Sequence, residues 1–112
     1  MSGITTHVLD TSRGRPASGV RLTLSVHEQG DWKELARGAT DDDGRCKTLT
    51  PAAAIAPARY RITFDTGAYF AAQKIETFYP EVAVLFEVKD GAAHYHVPLL
   101  LSPWGYSTYR GS

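Results

Sequence analysis

The sequence predicts an all-β fold, a two-sheet β-sandwich of seven to eight short strands with one short helix. Three observations carry this expectation. Runs of strand length alternate apolar and polar residues. The same runs are rich in Val, Ile, Thr, Tyr and Phe, the residues that fit a pleated surface. Clusters of Gly, Pro, Asp and Ser break the chain at short, regular intervals, as in sandwiches. A chain of 112 residues is one domain's length, so residues 1–112 are read as a single domain.

The first strand is expected over residues 4–10 (ITTHVLD) and stops at the turn-type cluster of residues 11–16. Residues 20–27 alternate almost perfectly: Val20, Leu22, Leu24 and Val26 are apolar, whereas Arg21, Thr23, Ser25 and His27 are polar. After a turn at residues 28–31, residues 32–39 form a weaker strand with alternation only partly kept. Thr40-Asp41-Asp42-Asp43-Gly44 is a tight loop in which acidic side chains favour the turn and Gly44 supplies a positive φ. A short strand is expected over residues 45–49 and a loop, with Pro51 and Pro57, over residues 50–59. Residues 60–65 alternate again, with Tyr60, Ile62 and Phe64 inward. The single plausible helix lies in residues 66–73, capped by Asp65 or Thr66. Residues 82–88 are apolar and β-branched, Asp90-Gly91 signals a hairpin, and residues 93–101 are its returning strand. Pro103 interrupts the chain before a last aromatic-rich strand over residues 104–109.

Lys and Arg (12) balance Asp and Glu (12), so the formal net charge is zero. That disfavours a bulk electrostatic grip on nucleic acid or an anionic membrane, and no local basic run restores one. The apolar runs are too short to span a bilayer, and no signal-peptide pattern opens the chain, so a cytoplasmic location is expected. Cys46 is the only cysteine, which rules out an intrachain disulfide framework and a Cys-rich zinc module, and suits a reducing compartment.

Alternation also shows which polar side chains share a face. His94 and His96, spaced i and i+2, share one with Pro98 and Leu100; His7 shares one with Thr5 and Leu9. Paired imidazoles suit a metal, but no third and fourth ligand pattern accompanies them, so no metal is expected. The plainer reading makes His94 a solvated residue near a turn and His96 a hydrogen-bonded strand residue. Arg45 follows three aspartates directly, and either forms a local ion pair of little worth or serves as an anion clamp. The aspartate loop resembles part of a calcium site but lacks the downstream bidentate Glu. Cys46 with His96 as its base is conceivable chemistry, although a single strand cysteine more often has a structural place. The 106–112 segment carries two tyrosines, an arginine and several hydroxyls, and strand-like alternation to Tyr109 argues that part of it is docked.

Four segments together resemble the transthyretin-like family: Thr5-Thr6-His7-Val8-Leu9-Asp10 with Gly14 and Pro16-Ala17, Thr40-Asp41-Asp42-Asp43-Gly44-Arg45, His94-Tyr95-His96-Val97-Pro98-Leu99-Leu100-Leu101-Ser102-Pro103, and Tyr109-Arg110-Gly111-Ser112. The last of these resembles the tetrapeptide of the family's enzyme branch, the 5-hydroxyisourate hydrolases, as opposed to its thyroid-hormone carriers. The resemblance implies a transthyretin-like sandwich and hydrolysis of 5-hydroxyisourate to 2-oxo-4-hydroxy-4-carboxy-5-ureidoimidazoline in urate degradation. It implies His7 and His96 as the imidazole pair that handles water's proton, and Arg45 as the group that binds urate-like oxygens and stabilises negative charge. Tyr109 would seat the flat heterocycle, and Ser112 would add its hydroxyl or carboxylate. It further implies no cofactor, and a homotetramer, a dimer of dimers, with sites between subunits. The alternative from another class is a non-catalytic carrier of a hydrophobic aromatic ligand; a plain accessory β-sandwich would leave the histidines and Arg45 without a role.

Overall fold

The structure, a computed structural model, describes residues 3–47, 49, 50 and 55–111. Alternation becomes two faces on each strand. The described strands are β1 (Gly3–Asp10), β2 (Arg15–Pro16), β3 (Arg21–Glu28), β4 (Asp31–Ala39), β5 (Arg45–Cys46), β6 (Ala58–Phe64), β7 (Val82–Val88), β8 (His94–Ser102) and β9 (Gly105–Thr108). One helix, α1 (Thr66–Ala71), lies between β6 and β7, and the Asp65 carboxylate caps it by accepting from the Ala68 N–H at 3.2 Å.

Two sheets enclose the core. One has the order β2-β1-β8-β9, with β5 also paired to β1; the other is β4-β3-β6-β7. Leu22, Leu24 and Val26 face Tyr60, Ile62 and Phe64 within the second sheet, and both sets meet Ile4, Val8, Val97, Leu99 and Leu101 from the first. Phe70 of α1 is fully buried and closes one end. Among the described residues, no helix is long and apolar enough to cross a membrane.

Two expectations are corrected, and a third observation is explained. Arg15 and Pro16 do not merely turn; they pair as β2 with Asp10 and Leu9, on a chain reversal that uses Gly14 at φ +66°. The weak alternation of residues 32–39 reflects a bulge: Leu24 pairs with Ala36 but Ser25 with Glu34, so Leu35 is the extra residue and is thrown to solvent. Most consequential, β7 and β8 are not a hairpin but belong to different sheets. A two-residue hairpin of the Asp-Gly type needs positive φ at both central residues, and neither Asp90 nor Gly91 has it. Instead the Asp90 side chain accepts from the Ala92 N–H, and the Tyr95 hydroxyl accepts from the backbone N–H groups of Lys89 and Asp90. Those bonds carry the chain across the sandwich edge. The expected strand over residues 45–49 is only the two-residue β5, and the expected loop over residues 50–59 lies partly outside the described residues.

Candidate active site

Strand β1 is central to the site because it pairs on both edges. β8 runs parallel to it, setting Thr5 opposite His96 and His7 opposite Pro98, while antiparallel β5 sets Arg45 opposite His7. The inward residues of β1 and β8 fill the core, so Thr5, His7, His94 and His96 all face outward on one sheet surface, each half-buried. Strands about 4.8 Å apart with a rise of about 3.3 Å per residue place His7 and His96 diagonally, roughly 8 Å apart along the backbone.

Arg45 is presented by the aspartate loop. The Asp41 carboxylate accepts from the backbone N–H groups of Asp43 (2.9 Å) and Arg45 (3.0 Å), and those bonds, the one from Arg45 foremost, hold its carboxyl below the usual carboxylate range. The carbonyl of Gly44, a residue at φ +76°, accepts from the Val8 N–H at 2.7 Å, which ties the loop to β1. A Cβ there would lie 2.4 Å from the Val8 carbonyl oxygen, so the register of Arg45 against His7 depends on glycine. Glu34–Arg37 is the one ion pair among the described residues, so the local aspartate pairing open to Arg45 in the sequence is not made. Exposed and unpaired, its guanidinium is left to meet an anion.

His96 is held on three sides. Its Nδ1 lies 2.8 Å from the Thr5 hydroxyl, its carbonyl accepts from the Gly111 N–H at 2.8 Å, and its ring edge faces Gly111 so closely that a Cβ there would lie 2.5 Å from Cδ2. Burial lowers its pKa below the ordinary 6.5, and the positive charge of Arg45 and the neighbouring His94 and His7 push the same way. A neutral imidazole keeps one ring nitrogen free to accept a proton.

The tail is docked to Gly111: the Arg110 guanidinium stacks 4.5 Å over the Tyr95 ring, and the Thr108 hydroxyl donates to the Pro98 carbonyl. Tyr109 stays exposed, beside His96 in a cleft of about 250 Å³ between β7 and the tail. Ser112 lies outside the described residues. Cys46 is buried in the core, which suits the structural reading and not the nucleophilic one. The sequence did not single out Thr5, whose hydroxyl lies 2.9 Å from Nε2 of His94, a residue whose ring stacks on His96 with centroids 6.2 Å apart. His94 is therefore not the solvated residue of the plainer reading but a half-buried, hydrogen-bonded one. No group of three or more His, Cys, Asp and Glu among the described residues is arranged to hold a metal ion.

Fold and site define a class, a transthyretin-type β-sandwich carrying three imidazoles and a guanidinium on the outer face of one sheet. A sequence model of the HIUase/Transthyretin family matches residues 4–111, and the chain belongs to that family. It is 50% identical over 109 residues to the 5-hydroxyisourate hydrolase of Salmonella dublin, covering 97% of this chain and 80% of the relative. It is 48% identical to the mouse 5-hydroxyisourate hydrolase, covering 99% and 96%. Among solved structures, the Klebsiella pneumoniae 5-hydroxyisourate hydrolase superposes with TM-score 0.88 at 40% identity over 100% of both chains. Sea bream transthyretin in complex with thyroxine gives TM-score 0.91 at 34% identity over 96% and 93%. The backbone thus matches enzyme and carrier alike, and the side chains of the site decide between them.

Proposed function

We propose that the chain is a 5-hydroxyisourate hydrolase acting in urate degradation. The observation that carries this is the outward face of β1, β5 and β8, where neutral His96, His7 and an unpaired Arg45 converge on adjacent strands. Identity of 48–50% to hydrolases from Salmonella and mouse supports the same reading.

An amide ring resists water because nitrogen resonance deactivates its carbonyl, water is a poor nucleophile and the tetrahedral intermediate places negative charge on oxygen. In the proposed mechanism, His96 takes a proton from water through Nε2 as the oxygen attacks the lactam carbonyl. The negative oxygen forms beside Arg45, whose planar guanidinium offers two parallel N–H donors. The C–N bond then breaks as the ring nitrogen receives the proton, with His7 holding the leaving side. The new carboxylic acid ionises at neutral pH and releases one proton. Tyr109 seats the heterocycle and Ser112 joins the hydrogen-bond network in this proposal.

We further propose a homotetramer, a dimer of dimers, with each site completed by a neighbouring subunit, and a cytoplasmic location. The site lies on an open sheet face of the single chain, and large apolar side chains stay exposed elsewhere on the chain: Leu85 on β7, Tyr106 on β9, and Trp104 and Phe78. Such a display of apolar surface is what an association interface needs. The ultraviolet absorbance of freshly generated 5-hydroxyisourate tests the function: decay should be accelerated by catalytic amounts of protein. Decay at the spontaneous rate, together with tight thyroxine binding, would instead make the chain a carrier.

A further inference from the structure

The Thr5 hydroxyl sits between two imidazoles, 2.8 Å from Nδ1 of His96 and 2.9 Å from Nε2 of His94. A hydroxyl owns one proton. It can donate to one of these nitrogens and must accept an N–H from the other, so the three groups have only two neutral arrangements. In one, Thr5 donates to His96, whose own proton then sits on Nε2, and the ring faces the site as a donor. In the other, Thr5 donates to His94 and accepts from His96 Nδ1–H, and His96 faces the site with a lone pair on Nε2.

We propose that Thr5 and His94 are positioning residues that hold His96 in the second arrangement, with its proton on Nδ1 and Nε2 free to act as base. This rests on the reading of His96 as the residue that deprotonates water. The fit of the surroundings supports it. Turning the His96 ring over would exchange Nδ1 for Cδ2 and break the 2.8 Å bond to Thr5. The stacked rings, 26° from parallel, keep His94 Nε2 directed at Thr5, where it serves as the acceptor that draws the hydroxyl proton away from His96. Thr5 also stands directly opposite His96 in the parallel register, so β1 and not a mobile loop sets the distance. The chain of bonds gives His94, which would otherwise be a surface histidine beside a turn, a defined role.

The test uses the intact protein, labelled with ¹⁵N at histidine, in two-bond ¹H–¹⁵N spectra near pH 8, above the ordinary imidazole range of about 6.5. Wild type should show the His96 proton on Nδ1. In His94→Phe the stacked ring remains but the acceptor is lost, so Thr5 donates to His96 and the proton should move to Nε2. Its kcat should fall by about 10- to 1,000-fold, since a wrongly protonated catalytic histidine forfeits most of its general-base contribution, while KM changes little. Thr5→Val should lose kcat similarly and Thr5→Ser should restore most of it, which a purely structural role would not do. A wild-type His96 proton on Nε2, or both variants retaining kcat within about twofold of wild type, would overturn the proposal. Should a variant fail to fold, the wild-type spectrum still decides. If wild type did not hydrolyse 5-hydroxyisourate at all, the functional reading would fail while the spectrum still reported the arrangement of the three groups.

Discussion

Alanine at Gly44 probes how the aspartate loop fixes Arg45. Gly44 has φ +76°, and an added Cβ would lie 2.4 Å from the Val8 carbonyl oxygen and 3.0 Å from Pro16 Cβ, backbone and ring atoms that cannot swing aside. The left-handed conformation costs a non-glycine residue about 1–2 kcal/mol. Moving the loop away from β1 also loses the Val8 N–H to Gly44 carbonyl bond, a further contribution of about 1 kcal/mol. The sum is about 2–3 kcal/mol. With an unfolding entropy of about 2.1 cal/mol/K per residue over 112 residues, Tm should fall by about 9–13 °C. Gly14 is the control, since it has φ +66° but no atom within 4 Å of an added Cβ. Gly14→Ala therefore meets only the conformational term, about 1–2 kcal/mol. Differential scanning calorimetry reads both, and the hydrolysis assay at 25 °C reads the consequence for Arg45. Gly44→Ala should lose at least about tenfold in kcat/KM, because Arg45 is displaced from its place opposite His7, while Gly14→Ala stays near wild type. Equal Tm shifts and equal rates for the two variants would mean that the close approach of Gly44 to Val8 does not hold Arg45 in place.

Other expectations follow from the same geometry. His96 must be neutral to accept a proton, and its pKa lies below 6.5, first from burial and then from Arg45, so kcat/KM should hold as pH falls to 6.5 and drop below it. In Arg45→Ala the residual activity should lose its acid limb at higher pH, because a charge that opposes imidazolium formation is gone; an unshifted limb would remove Arg45 from the environment of His96. Arg45→Ala should cost about 100- to 1,000-fold in kcat, as expected for a donor to a developing oxyanion, and Arg45→Lys should recover only part because it lacks the fork. Thr40→Val should lower stability by about 1–3 kcal/mol in denaturant unfolding with little change in kcat. Its buried hydroxyl donates to the Ala17 carbonyl and accepts from the Val20 N–H, and valine would leave both unpaired.

Much of this architecture is written in local pattern. The alternation of Val20, Leu22, Leu24 and Val26 and of Tyr60, Ile62 and Phe64 sets which face is core, because strand periodicity requires no knowledge of partners. What failed was pairing. Asp90-Gly91 carries the chemistry of a hairpin, yet whether two strands pair or part depends on the Tyr95 hydroxyl, five residues further on, capturing the Lys89 and Asp90 N–H groups. The same limit governs the site. His7, Arg45 and His96 were legible through their motifs, and His7 and His96 lie on outward faces that alternation alone reveals. Thr5 was not, because its partnership with His94 and His96 exists only once β1 and β8 pair in parallel across some ninety residues of chain. The signal was present in one respect: Thr5 shares its face with His7, and a hydroxyl two residues from an outward histidine is a candidate partner.

The most direct measurement is the rate of 5-hydroxyisourate decay with purified wild-type protein beside His96→Gln and His7→Ala, with folding and sedimentation confirmed for each. Wild type should accelerate decay far above the spontaneous rate, sediment as a tetramer and lose at least about a hundredfold in kcat when either imidazole is removed. Decay at the spontaneous rate with wild type, or full activity in both variants, would contradict the assignment of hydrolysis to this face of the sandwich.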